Sequence, residues 1–276
     1  LFFFSPRFLG HSFNNPKDIP FALGYIFSIY YFILFLKKFP KPDKRTVFLA
    51  LIGVGLAISI RIGGLLLIAF LFLFSGLYFL VTSSRKTFFG KDNMNRLGKL
   101  LIYLLVISIG GYLLGLICWP FALQDPLKNP LEALQLMTNF SASLRQLFAG
   151  EVIWSDRLPW YYLSKYIIIS VPIVVLTGVI LGIFLFPKIK GKLNYLWMFF
   201  ILFAFVFPVA YIINKESNVY GGWRHVLFIY PPMVIAAGTS YEGLTRSIKH
   251  KYIKIAAFLL IAFLAFHPVK HILKNH

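Results

Sequence analysis

Cysteine and acidic residues are the conspicuous shortages of this chain: one of the former and nine of the latter in 276 positions. A lone Cys118 permits neither an intrachain disulfide nor a cysteine-based metal site, and its position at the end of an apolar run marks it as a packing residue. The sequence has no Gly-rich phosphate loop with its lysine, no His-Glu-x-x-His and no Gly-x-Ser-x-Gly, so ATPase, metalloprotease and serine hydrolase readings lack their parts. His267, His271 and His276 are spaced too loosely for a metal centre. Charged residues make up only 13% of the chain, about half the share of a soluble domain.

What is abundant is hydrocarbon. Hydrophobic residues make up 59% and aromatic residues 18%, and the mean hydropathy is +0.76. These values specify an all-α, polytopic integral membrane protein, because a membrane barrel would show short alternating segments instead. Apolar runs lie near 21–36, 47–60, 62–82, 100–118, 166–186, 195–213, 226–240 and 253–266, which predicts about eight transmembrane helices. Residues 1–9 add a partial span: the Phe-rich opening has no basic region or cleavage site of a signal peptide. The expectation is a single transmembrane domain over 1–276, a fragment truncated at its N-terminal side and also at its C-terminal side. Pro231-Pro232 is expected to kink the 226–240 run, and Arg61-Ile-Gly-Gly64 to form either a turn at the membrane face or a kink in a long hairpin.

A net charge of +19 would point to nucleic acid in a soluble protein. Here the bases sit in short loops between spans, where they set orientation, so the partner is the lipid bilayer and not nucleic acid. Lys37, Lys38, Lys41, Lys44, Arg45, Arg85, Lys86, Lys91, Arg96, Lys99, Lys188, Lys190, Lys192, Arg246, Lys249, Lys251 and Lys254 fall on one side by alternation, which the positive-inside rule makes cytoplasmic. The opposite face receives residues 8–19, the Arg61 turn, a 119–165 extracytoplasmic loop, the 214–225 loop and the C-terminal tail. Six acids, Asp18, Asp125, Glu132, Glu151, Asp156 and Glu216, lie on that outer face, so polar function is expected there. Within 119–165, Leu131–Met137 has the spacing of an amphipathic interfacial helix, and Trp154–Tyr162 reads as an aromatic belt. Asn139-Phe-Ser141 matches a glycosylation acceptor.

Three outer segments carry the candidate chemistry. Ser5–Pro20 reads as a polar loop holding the lone acid Asp18 among Arg7, His11, Asn15 and Lys17. Asp18 ahead of Pro20 reads equally as a helix cap and as a carboxylate that positions a hydroxyl or a divalent metal. Arg61 interrupts an apolar stretch; it either snorkels to headgroups or binds a phosphate that the flanking glycines admit. Trp223, Arg224 and His225 follow a Gly-Gly turn, giving either an interface anchor or an aromatic face with cations suited to a sugar joined to a phosphate.

Ser5–Phe21, Gly55–Gly64, Leu158–Leu163 and Tyr220–His225, taken in that order, resemble the GT-C membrane glycosyltransferases. Specifically, the chain resembles the phospholipid carrier-dependent, family 39-like group related to protein O-mannosyltransferases and lipid A aminoarabinose transferase. The resemblance implies a GT-C helical bundle, in the plasma (inner) membrane of a bacterium. Its active site would face outward and transfer a hexosyl or pentosyl group from a polyprenyl-phosphate-linked donor to a protein, lipid or glycan acceptor. In that family one outer acid acts as base and a second precedes a proline in the next outer loop; Asp18 matches the second, and the first has no counterpart in this chain. Arg7, His11, Asn15, Lys17, Arg61, Trp223, Arg224 and His225 would then contact lipid phosphate or sugar. Asp18 is the catalytic candidate and the candidate metal ligand, a divalent ion being the one cofactor expected. The competing class is a polytopic transporter or lipid flippase, which requires facing polar residues at mid-membrane; runs 166–186 and 195–213 carry almost none.

Overall fold

The computed structural model describes residues 5–83, 89–138, 143–188 and 191–275. All eight apolar runs are helical. Among the described residues, five segments are long and apolar enough to cross a membrane: Asp18–Lys38, Ile62–Thr82, Lys91–Ile117, Lys192–Asn214 and Lys251–Lys274. The pair Tyr162–Ser170 and Ile173–Lys188, bent by 113°, makes a sixth if it is one broken span. The protein is therefore an all-α helical membrane protein. Packing gathers it into two compact units, Leu1–Ile19 with Ser141–His276, and Pro20–Phe140.

The chain enters through α1 (Pro6–Asn14), where a polar loop was expected. Ser5 makes the helix: its Oγ accepts the Phe8 N–H at 3.2 Å, and Pro6 follows in the first turn, where its missing N–H costs nothing. The buried Ser5 cap thus starts a new helix within the stretch expected to be a partial span.

The Pro20–Phe140 unit holds most of α2 (Asp18–Lys38), then α3 (Lys44–Ile60), α4 (Leu65–Thr82), α5 (Lys91–Ile117), α6 (Pro120–Gln124) and α7 (Lys128–Thr138). α3 has 17 residues and reaches about 25 Å at 1.5 Å per residue, so it falls just short of the other spans. It packs closely on α5 because small residues face large ones. A side chain on Gly55 would meet Leu114 at 2.7 Å, one on Gly111 would meet Val54 at 2.7 Å, and one on Gly115 would meet Ile58 at 2.7 Å. Lipid tails are as apolar as these side chains, so close van der Waals packing, and not expulsion from water, holds such pairs.

After α3, Arg61 is extended (φ −147°, ψ 138°) and Ile62–Gly64 forms a single 3₁₀ turn into α4, which settles this segment as a tight turn. Gly64 lies against backbone: a Cβ there would sit 2.6 Å from Ile58 N. This glycine serves helix–turn packing rather than the admission of a phosphate.

The two ends of this unit differ in charge. At one end Asp43 caps α3 by accepting the Thr46 N–H at 3.0 Å and pairs with Lys38, while Arg96 donates to Thr82 Oγ1 at 3.4 Å. Lys37, Lys41, Lys44, Arg45, Lys91 and Lys99 gather around that end. The opposite end carries the Arg61 turn and α7, whose Met137 sulfur lies 3.8 Å from the Cβ position of Gly63. α7 leaves Leu131 and Leu136 exposed, as an interfacial helix does.

The other unit adds a feature absent from the expectations, a hairpin of β1 (Arg145–Phe148) and β2 (Glu151–Trp154). Its two-residue loop, Ala149-Gly150, has φ of 56° and 91°, the doubly left-handed geometry that suits the twist of a tight hairpin. There follow α8 (Tyr162–Ser170), α9 (Ile173–Leu185), α10 (Lys192–Asn214), α11 (Tyr230–Ser247) and α12 (Lys251–Asn275). The run expected at 166–186 breaks between α8 and α9 because Pro172 lacks an N–H and holds Val171 extended (φ −79°, ψ 132°). Pro231 and Pro232 do not kink a span. They occupy the first turn of α11, after a 3₁₀ segment over Arg224–Ile229.

α9 packs on α11 through Gly178 against Ala237 and Gly182 against Ser240. This aligns the C-terminal ends of α9 and α11 with the start of α10, and places the 214–229 segment, the hairpin and α1 at the other end. The Asn139 acceptor pattern lies outside the described residues.

Candidate functional site

Asp18 opens α2 and is only 4% exposed. Asn15 holds it from both sides: Nδ2 donates to Asp18 Oδ2 at 2.6 Å, and Oδ1 accepts the Asp18 N–H at 2.9 Å and the Lys17 N–H at 3.3 Å. The Asn-x-x-Asp spacing is thus a turn that orients the carboxylate, a role beyond capping. The guanidinium of Arg224 faces the same oxygen, with Nε 3.7 Å from Asp18 Oδ2. That is ion-pair distance but beyond a hydrogen bond. The buried Nε–H of Arg224 has no hydrogen-bond partner among the described residues.

His11 and Arg7 project from α1 beside this pair. His11 Nδ1 lies 3.3 Å from Asn15 Nδ2. Its imidazole titrates below the ordinary histidine range, first because burial disfavours the charged ring and then because Arg7 is close, with Asp18 opposing. Burial likewise lowers the Arg7 guanidinium, with the tyrosines Tyr166 and Tyr162 opposing and Arg224 adding to the lowering. The site is a buried acid among more positive charge than it can neutralise.

Arg7 does more than supply charge. Its Nη2 donates to the carbonyl of Gly221, and its guanidinium lies 6.0 Å from the Tyr166 ring centroid and 5.8 Å from that of Trp223. Gly221 and Gly222 both have positive φ, 68° and 69°, and a Cβ on Gly222 would meet Arg7 Nη2 at 2.6 Å. The same loop is tied at its N–H groups. Gly221 donates to Gln146 Oε1 of the hairpin at 2.8 Å, and Gly222 to the Tyr162 hydroxyl at 3.0 Å. Beneath it, Phe148, Tyr162 and Val219 form a small core with Ile153, Leu158, Tyr166 and Ile212.

These contacts revise several residues. Trp223 is fully buried, donates its indole N–H to Ser170 Oγ and packs on Tyr230, so it is a core anchor instead of an open sugar platform. Of the expected aromatic belt, Trp154, Trp160 and Tyr161 are exposed, whereas Tyr162 is buried and belongs to the site. His225 packs edge-on against Tyr220, whose ring also carries the Arg224 guanidinium at 5.2 Å. Lys17 is exposed at the rim. Arg61 belongs to the other unit, where its guanidinium lies 6.0 Å from the Phe21 ring centroid. Gln146, Tyr162, Tyr166 and Ser170 join the site without having been singled out. For Tyr162 the Leu158–Leu163 segment was the available signal, and for Gln146 there was none.

Around Asp18 the neighbours are an amide and cations, and among the described residues no group of three or more His, Cys, Asp and Glu side chains is arranged to hold a metal ion. Chemically the cluster favours an anion that approaches beside a carboxylate able to accept a proton or orient a hydroxyl. Compared with known proteins, the chain matches no family model, no curated protein and no solved structure.

Proposed function

We propose that this protein is a membrane glycosyltransferase of GT-C type that transfers a sugar from a polyprenyl-phosphate-linked donor to a protein, lipid or glycan acceptor on the extracytoplasmic face of a bacterial plasma membrane. One observation carries the reading: the buried Asp18 carboxylate is fixed by Asn15 and faces the Arg224 guanidinium at 3.7 Å, with Arg7 and His11 alongside. Sugar transfer from a lipid phosphate leaves negative charge on the departing phosphate. Cations already held in place near a membrane face stabilise that charge without reorganising. Arg224, whose Nε faces Asp18 while the side chain stays 37% exposed, is the group for the phosphate; Asp18 positions the acceptor hydroxyl or receives its proton. Arg7 acts by holding the Gly221-Gly222 loop that carries Arg224.

Sidedness rests on charge. The Asp18 cluster lies at the end of its unit opposite Lys188, Lys192, Arg246, Lys249 and Lys251, and a bias of bases marks the cytoplasmic side. The eight-span bundle of the resemblance requires α3, the broken α8–α9 pair and the 3₁₀ segment with α11 to complete the five longer spans.

The test is transfer of labelled sugar in proteoliposomes loaded with a polyprenyl-phosphate sugar and a panel of acceptors. Asp18→Asn and Arg224→Ala should each lower the rate by about a hundredfold, the range seen when one preorganised electrostatic group is removed. Transfer that survives both substitutions unchanged refutes the site.

A further inference from the structure

At the end of the same unit away from Asp18, α9, α10 and α11 line a half-open cavity of about 640 Å³. Its inner wall is apolar, formed by Leu185, Met198, Ile201 and Ile235, and its mouth carries Lys188, Asn194 and Ser247. Gly182 backs it, where α9 and α11 approach so closely that a Cβ would meet Ser240 Oγ at 2.5 Å. Gly243 leaves room on the α11 side, the nearest atom to its Cβ position being Leu185 Cδ1 at 3.8 Å.

We infer that this cavity is a binding site for an anionic phospholipid, with the phosphate at the Lys188 mouth and acyl chain along the Met198–Ile201–Ile235 wall. Charge complementarity selects the occupant. Lys188 is the cation among the lining residues, and the acid among them, Glu242, is paired to Arg246 one helical turn on, while Lys192, Lys249 and Lys251 follow close by in sequence at the same helix ends. Lys188, Asn194 and Ser247 lie at the helix ends and Met198, Ile201 and Ile235 one to three turns deeper, where the hydroxyls of Thr239 and Ser240 are bonded within α11 to the carbonyls of Ile235 and Ala236; this order suits a lipid standing in a leaflet. Basic pockets between membrane helices on the side rich in lysine and arginine hold phosphate headgroups in this way. The site is separate from the Asp18 cluster and does not depend on the transferase reading.

Native mass spectrometry of the purified full chain, offered equal phosphatidylglycerol and phosphatidylcholine, tests it. Wild type should retain phosphatidylglycerol preferentially. Lys188→Gln should lower that preference about fivefold, the effect of one lysine near an anionic headgroup, while Lys41→Gln in the other unit leaves it unchanged. Gly243→Leu, which projects a side chain into the cavity, should weaken retention of both lipids, and inorganic phosphate at millimolar concentration should not displace the bound lipid. Three results overturn the inference: no preference between the lipids, equal losses from Lys188→Gln and Lys41→Gln, or displacement by inorganic phosphate, which would identify a free-anion site.

Discussion

Gly222→Ala is the substitution that most sharply probes how the Asp18 site is built. At φ 69° an alanine adopts a left-handed conformation, which costs about 1 kcal/mol for a residue with a Cβ. The added methyl would also lie 2.6 Å from Arg7 Nη2 and 2.9 Å from Nη1, closer than atoms tolerate, so the guanidinium must move. Moving it breaks the charge-assisted hydrogen bond to Gly221 O, worth about 2 kcal/mol. The sum is about 3 kcal/mol, or roughly 6–12 °C in melting temperature for a protein of this size. In an Arg7→Ala background the clash and the hydrogen bond are both gone, so Gly222→Ala should cost only the backbone strain, about 1 kcal/mol. A double-mutant cycle read by thermal unfolding in one detergent therefore expects a coupling of about 2 kcal/mol. Equal costs in the two backgrounds would refute the clamp.

Other outcomes follow from the same contacts. His11 has a folded-state pKa below that of the unfolded chain, so protonation favours the unfolded state: its contribution to stability is complete above about pH 6.5 and is lost as pH falls through the folded value, a slope that His11→Gln should flatten in melting curves taken from pH 7.5 to 4.5. Gly111→Leu places a side chain where a Cβ already meets Val54 at 2.7 Å and should destabilise the α3–α5 pair by about 3 kcal/mol, read as a lower melting temperature with the Asp18 cluster's His11 titration unchanged. Trp223→Phe removes the indole N–H from Ser170 while keeping most of the buried volume; a loss of about 1 kcal/mol is expected, and a loss as large as that of Trp223→Ala would contradict it.

The spans were legible because their signal is local. Length and hydropathy alone place α2, α5 and α10, since twenty apolar residues have one economical conformation in lipid. The broken run at 166–186 was legible in principle from Pro172, but hydropathy averages over a proline and sees one span where the backbone turns by 113°. The hairpin was obscured for a related reason. Arg145–Trp154 is too short to contrast with its surroundings, and its turn depends on Gly150 together with an alanine at positive φ that composition does not announce.

Asp18 stood out because a solitary acid in an apolar sequence is conspicuous, but the residues that define its electrostatics come from far along the chain. The Arg7–Gly221 contact joins positions 214 apart, and no periodicity predicts it. The same non-locality misleads about aromatic residues: Trp223 and Tyr162 follow the pattern of interface anchors, which rests on their position at span ends, yet both are buried. What decides between anchor and core is whether a partner exists for the polar tip away from lipid. Ser170 supplies one for the indole, and the Gly222 N–H supplies one for the phenol, because Gly221 and Gly222 turn the chain back over them. The two glycines thus fix both halves of the site at once. They bury the aromatic floor and leave Arg224 directed at Asp18, so the Gly-Gly-Trp-Arg sequence works as a geometric device for placing one cation.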